Sequence, residues 1–298
     1  MKTLMVMGSA LCAASAFALM EPATPESQGV PSEAILKFID GCEKTFDAGD
    51  LGAMHGFVIV RHGKVIAEGS WKPFDTLNET HMLYSHSKSF TSSAIGLLAD
   101  RGKIDLDERI VDIFSNEVPA KVSENLAQLR VRDLLTMNVG KKDHLLRDGG
   151  DWVKEFLSKD FFRKPGTGFK YDSDATYMLA AIVEKKSGMK MMDYLQKNMF
   201  DQIGITKAWT TCSPQGIPCG GWGMNMTTRE LARFGQLYLN RGDCPQAETP
   251  APAADARQSS RRRRPGAATP RGDLRAPAVL PRSRRTARPS SPAEGCPR

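Results

Sequence analysis

The stretch that decides the reading is Leu83-Tyr84-Ser85-His86-Ser87-Lys88-Ser89-Phe90-Thr91. It opens a segment in which Phe90, Ala94, Ile95, Leu97 and Leu98 recur at helical spacing and Gly102 supplies a stop. Ser85 therefore stands at the start of a helix, with Lys88 one turn on along the same face. A nucleophilic serine needs a group to take its proton and a positive field to hold the alkoxide. The free N–H groups and dipole of a helix N-terminus favour negative charge. A partly desolvated lysine within reach can act as the base. S-x-x-K at this position is thus a candidate nucleophile and base.

The pattern is short, and a second copy, Ser187-Gly188-Met189-Lys190, shows how it arises by chance. That copy follows the helical run from Tyr177 to Lys186, with Gly188 as its C-cap, where the dipole has the wrong sign; it reads as structural. The overlapping Lys186-Ser187-Gly188 spells a K-[ST]-G triad. Chemistry of this kind uses that triad on a strand edge, and a helix end offers none.

A third group lies in Pro165-Gly166-Thr167-Gly168-Phe169-Lys170-Tyr171-Asp172-Ser173. A loop with a tyrosine and a small polar residue two places on, just before a helix, can aim both at a neighbouring serine. Tyr171 is the candidate proton relay or hydrogen-bond donor, and Ser173 its supporting partner.

Outward from these segments, the chain resembles the serine beta-lactamase-related superfamily, in its branch of class C beta-lactamases, DD-peptidases, esterases and 6-aminohexanoate-dimer-type amide hydrolases. The resemblance is carried by Leu83–Thr91, by Leu134-Leu135-Thr136-Met137-Asn138-Val139-Gly140, by Pro165-Gly166-Thr167 with Tyr171-Asp172-Ser173, and by Ala232-Arg233-Phe234-Gly235-Gln236-Leu237-Tyr238. Order and spacing agree from about residue 22 to 242. The resemblance implies a mixed α/β fold, with an antiparallel sheet, helices and a helical subdomain. It implies acylation of Ser85 with Lys88 and Tyr171 handling the proton, a small-molecule or peptide acyl substrate, and no metal or organic cofactor. The family usually has Tyr-x-Asn where this chain has Tyr171-Asp172-Ser173, a shift toward the esterase or peptidase-like members. The family also continues into C-terminal strands, one of which bears K-T-G or H-x-G and supplies an oxyanion N–H. No segment here matches it. Loss of one oxyanion donor costs roughly 10²–10³ in turnover, so the expectation is a C-terminally incomplete, impaired enzyme.

The remaining features bound the partners. The N-terminus, with Lys2, an apolar Leu4 to Phe17 and Ala16-Phe17-Ala18, reads as an export signal over residues 1–18, too short and too rich in small residues for a membrane span. The hydrolase domain is expected over 19–242. From Asp243 onward 12 Arg stand against 5 acids, with no Lys, while residues 1–242 hold 29 basic and 29 acidic residues, so the whole net charge of +7 belongs to the tail. Residues 243–298 contain no Phe, Trp, Tyr, Ile, Met, Lys, Asn or His and read as a disordered segment translated in a shifted frame. A basic arm for nucleic acid or a membrane surface is the alternative; the neutral body calls for no polyanion, and a monomer is expected. The five His and six Cys form no zinc spacing. Cys212 and Cys219 bracket a Pro/Gly loop and read equally as a disulfide in an oxidising compartment or as two loop thiols.

Overall fold

The computed structural model describes residues 20–47, 54–142 and 150–243. Residues 1–18, read as an export signal, together with Cys12, His144, Cys244, Cys296 and nearly all of the basic tail, lie outside them. Helix α1 (Ser32–Asp47) leads into an antiparallel hairpin, β1 (Gly56–Arg61) and β2 (Lys64–Ser70). The hairpin turn is His62-Gly63, both at positive φ (52° and 75°), which suits the right-handed twist of the strands. The short strand β3 (His81–Met82) pairs with β4 (Asn225–Met226). Among the described residues, both sheets have two strands. The mixed α/β class read from the sequence is the one found.

Helix α2 (Ser87–Asp100) buries Phe90, Thr91, Ala94, Ile95 and Leu98, the apolar face the sequence outlined, and ends where Gly102 and Lys103 return N–H groups to Ala99 and Leu98. Short helices follow: α3 (Ile110–Ile113), α4 (Glu124–Gln128), α5 (Val131–Leu135) and α6 (Trp152–Leu157). The periodicity predicts α6 out to Phe162, but Ser158 closes it and Phe162 is left exposed. Helix α7 (Ser173–Ser187) begins four residues before the apolar run at Tyr177, because Asp172 caps it by accepting the N–H groups of Asp174 and Ala175. Helix α8 (Met191–Leu195) passes through a π turn (Gln196–Phe200) into α9 (Asp201–Ile203), where sequence suggested one continuous helix. Helix α10 (Thr228–Leu239) starts from Thr227 as read, with a full capping box to Glu230.

One apolar cluster joins α2 through α10. Phe90 stacks on Phe234 at 3.9 Å and meets Phe200 edge-on at 5.9 Å. Helix α7 is the central post of this cluster, with ten consecutive residues buried from Asp174 to Val183. It packs against α2 and so holds the loop before it beside the start of α2.

Candidate active site

Ser85 sits in a single 3-10 turn (Tyr84–His86) that runs directly into α2, so it lies just ahead of the α-helix. The entry is sharp. Tyr84 has φ of +46°, a left-handed conformation that costs a bulky residue on the order of 1–3 kcal/mol. Three hydrogen bonds hold it. Ser87 Oγ donates to the Tyr84 carbonyl at 2.6 Å and accepts the Met224 N–H at 3.1 Å, while the Leu83 N–H donates to the Met224 carbonyl at 2.8 Å. The Ser85 side chain is thereby turned out to solvent at the edge of the core.

Three sequence-predicted residues meet at Ser85 Oγ. The Tyr171 hydroxyl donates to it at 2.6 Å, and Lys88 Nζ donates to it at 3.3 Å. Lys88 Nζ also donates to the Gly221 carbonyl at 2.5 Å and lies 4.7 Å from the Tyr171 ring centroid. Partial burial pushes the Tyr171 phenol up, but hydrogen bonding with Lys88 and Ser85, the Lys88 charge and hydrogen bonding with Ser173 outweigh it, and its pKa falls below the ordinary tyrosine value. Ser173, the first residue of α7, is therefore within the same network. With Tyr171 as the phenolate, such an arrangement can take the proton of Ser85 while a cation stands by to hold the developing negative charge.

The other family-like segments frame this group. The Gly166 N–H donates to the Asn138 carbonyl at 2.9 Å, and the Lys170 N–H to the Met137 carbonyl at 3.0 Å, so Leu134–Gly140 cradles the loop that carries Tyr171. From α10, Phe234 packs on Phe90, and Tyr238 shares a 2.8 Å hydrogen bond with Ser93 Oγ, bracing α2 from the far side.

The second S-x-x-K does not assemble. Ser187 Oγ turns back to the Met189 N–H at 3.1 Å, and Lys190 Nζ bonds Glu184 at 3.4 Å and the Gly216 carbonyl at 3.0 Å. Lys186 pairs with Glu108 at 2.5 Å, so the K-S-G triad ends a helix as expected.

Sequence reasoning missed Gly220 and Gly221, passing over them as part of a Pro/Gly loop. Their backbone threads between α2 and α7. The Gly220 carbonyl accepts from Thr91 Oγ1 at 2.9 Å, and that of Gly221 from Lys88. A Cβ on Gly220 would stand 2.7 Å from the Thr176 carbonyl oxygen, and one on Gly221 2.7 Å from that of Ser173. Gly220 also needs its φ of +64°. The paired glycines in Pro218-Cys219-Gly220-Gly221 were the signal: side chains are excluded where backbone must approach backbone.

The two loop cysteines do not pair with each other. Cys212 is disulfide-bonded, whereas Cys219 is a free, buried thiol. The Cys219 N–H donates to the Thr211 carbonyl at 3.0 Å, and Cys212 bridges with Pro218, so the register sets Cys219 opposite Thr211. Adjacent residues on an extended strand face opposite ways, and Cys219 Sγ meets Thr211 Oγ1 at 3.6 Å instead.

Comparison with known proteins bears on the fold and the family. The 6-aminohexanoate-dimer hydrolase of Paenarthrobacter ureafaciens is 26% identical over 244 residues, covering 76% of this chain and 61% of that protein. A penicillin-binding protein of Bacillus subtilis (strain 168) is 26% identical over 182 residues, covering 56% of this chain and 38% of that protein. The structure of the octameric penicillin-binding protein homologue from Pyrococcus abyssi superposes with a TM-score of 0.57 at 17% identity, over 72% of this chain and 58% of that one, a likeness of fold. The chain spans less than two thirds of the length of each. The profile of the family named Beta-lactamase matches residues 43–275. With Ser85, Lys88 and Tyr171 gathered inside that match on a mixed α/β frame, the chain belongs to the beta-lactamase family.

Proposed function

We propose that the chain is a serine hydrolase that opens an ester, amide or lactam through an acyl-enzyme on Ser85. The observation that carries this reading is the double donation to Ser85 Oγ, from Tyr171 at 2.6 Å and Lys88 at 3.3 Å, with the phenol acidified. The reacting form is the Tyr171 phenolate, held by the positive charge of Lys88: as Oγ attacks the carbonyl carbon, its proton passes to the phenolate oxygen, and Lys88 stays beside the tetrahedral anion. Collapse expels the alcohol or amine, which takes the proton from Tyr171. Water then attacks the acyl carbon and gives its proton to the same phenolate oxygen, and collapse expels Ser85 Oγ, which takes that proton back as the carboxylic acid leaves.

The named hydrolase and penicillin-binding relatives support acyl chemistry at this site, and Ser173 in place of the family's asparagine supports an ester or peptide-like substrate over a penicillin. Export in an oxidising compartment belongs to the same proposal, supported by the leader-like residues 1–18 and the disulfide at Cys212. The test is covalent labelling of the full chain by a fluorophosphonate and by a fluorescent penicillin. Fluorophosphonate labelling is expected in the native protein and absent in Ser85→Ala. A cooperatively folded protein that takes up neither probe would show a non-catalytic member of the family.

A further inference from the structure

Tyr171 reaches Ser85 from an exposed position. Its side chain is 49% exposed, so packing around the ring does not fix it. Its place depends on the backbone of residues 170–174, and one charged group is built into that backbone's support. Among the described residues, Lys141 is the one buried lysine, and its side chain is wholly inaccessible. Its Nζ lies 3.0 Å from Asp174 Oδ2 and 3.7 Å from Asp172 Oδ2, and 5.5 Å from the Phe156 ring centroid. The two aspartates flank Ser173, and Asp172 directly follows Tyr171. Asp172 has a second task, since its Oδ1 caps α7 through the N–H groups of Asp174 and Ala175. A single ammonium therefore joins the cap of α7 to the residues on either side of Ser173. Lys141 in turn continues Leu134–Gly140, which receives the Lys170 and Gly166 N–H groups, and bridges to Phe161. A buried ion pair is weak evidence of stabilisation but an effective device for fixing one geometry.

We propose that Lys141 is a positioning residue: its ammonium, held by Asp172 and Asp174, fixes the Tyr171–Ser173 segment so that the phenol hydroxyl stays on Ser85 Oγ. This rests on the reading of Ser85, Lys88 and Tyr171 as the acylating group. A reacting group displaced by about 1 Å can lose on the order of 10²-fold in rate. Lys141→Met in the full chain is expected to slow fluorophosphonate labelling of Ser85 at least about tenfold. The companion Lys141→Met/Asp174→Asn removes one charge of each sign, folds with less buried imbalance, and is expected to label as slowly. The deciding comparison is made in Tyr171→Phe. If Lys141 acts through Tyr171, adding Lys141→Met there changes the rate by less than about twofold. An equal fractional loss with and without Tyr171, or wild-type labelling by the double variant, overturns the proposal. Should the native protein fail to label, the acyl-enzyme reading falls by itself, and Lys141 is judged by the Tyr171 phenol titration, assigned by difference from Tyr171→Phe. A titration that moves up toward free tyrosine in Lys141→Met supports positioning, and an unmoved titration overturns it.

Discussion

At the scale of the residue, what matters most about Tyr171 is which influence on its proton wins. Burial alone would raise the phenol, yet Lys88, Ser85 and Ser173 together lower it. The form that can accept the Ser85 proton is the phenolate, so lowering the phenol brings that form toward neutral pH. The acylation rate is therefore expected to rise with pH and to level off below the ordinary tyrosine value of about 10. Tyr171→Phe should remove that rise and slow acylation by about 10²–10⁴-fold. Labelling rates measured across pH 6 to 11 check this, and a rise centred at or above free tyrosine would contradict it. The sign for stability is the same. A phenol depressed on folding stabilises the fold above the unfolded value and loses that effect as pH falls through the folded one. Ser85, Lys88, Tyr171 and Ser173 were legible in sequence because their chemistry resides in side chains at short, regular spacing. Gly221 was not: it acts through a carbonyl on Lys88 across 133 positions, and a carbonyl has no signature in the sequence. Lys141 was hidden differently, since a lysine beside another lysine reads as solvated surface until Asp172 and Asp174 are seen to enclose it.

At the scale of the element, apolar periodicity located helix bodies well and their ends poorly. Helix α7 was read from Tyr177 because Ser173-Asp174-Ala175-Thr176 looks like loop, yet Asp174 and Thr176 are almost fully buried. The Asp174 carboxylate is admitted to the core by a partner distant in sequence, Lys141, and periodicity does not register that. Helix α10 shows the opposite case. Its start was legible because the Thr227–Glu230 capping box is local. Even there, part of the role of Glu230 was out of view. Its Oε2 accepts the Thr227 N–H and Oγ1 at 3.0 Å each, and its Oε1 accepts the Thr206 and Lys207 N–H groups at 2.7 Å each. One buried carboxylate thus caps α10 and ties down the chain after α9. Thr227→Ala is expected to cost about 1 kcal/mol, as for a helix cap. Glu230→Ala strands three backbone donors, each worth about 1–3 kcal/mol, and should cost about 3 kcal/mol or more. Urea unfolding of both variants measures the difference, and a Thr227 variant as damaged as the Glu230 variant would refute the ranking.

At the scale of the whole molecule, the core and the hairpin are unequal partners. Among the described residues, the main cluster gathers side chains from α2 through α10 and includes none from α1, β1 or β2. Ile35 and Ile66 are buried apart from it, beneath α1 and the hairpin. Two-stranded hairpins are marginal alone, so β1 and β2 depend on what they lean against. The links are specific: Arg229 on α10 forks onto Glu68 of β2 at 2.8 and 2.5 Å, and the Thr228 N–H donates to the Thr76 carbonyl at 2.7 Å. The pair is partly exposed, and such pairs contribute about 0–1 kcal/mol, far less than burial of an aromatic such as Phe90, at about 1.5–3 kcal/mol. The hairpin layer should therefore open without unfolding the cluster. Native-state hydrogen exchange is expected to show amides of α2 and α7 exchanging only at the global unfolding free energy. Those of β1 and β2 should exchange through a smaller opening. Arg229→Ala should speed exchange in β1 and β2 while leaving α7 unchanged. Ser85 and Tyr171 are both carried by the cluster, at the starts of α2 and α7, so labelling of Ser85 should survive that loosening. Equal protection in the hairpin and in α7, or loss of labelling in Arg229→Ala, would mean that hairpin and cluster form a single cooperative unit and that the site depends on both.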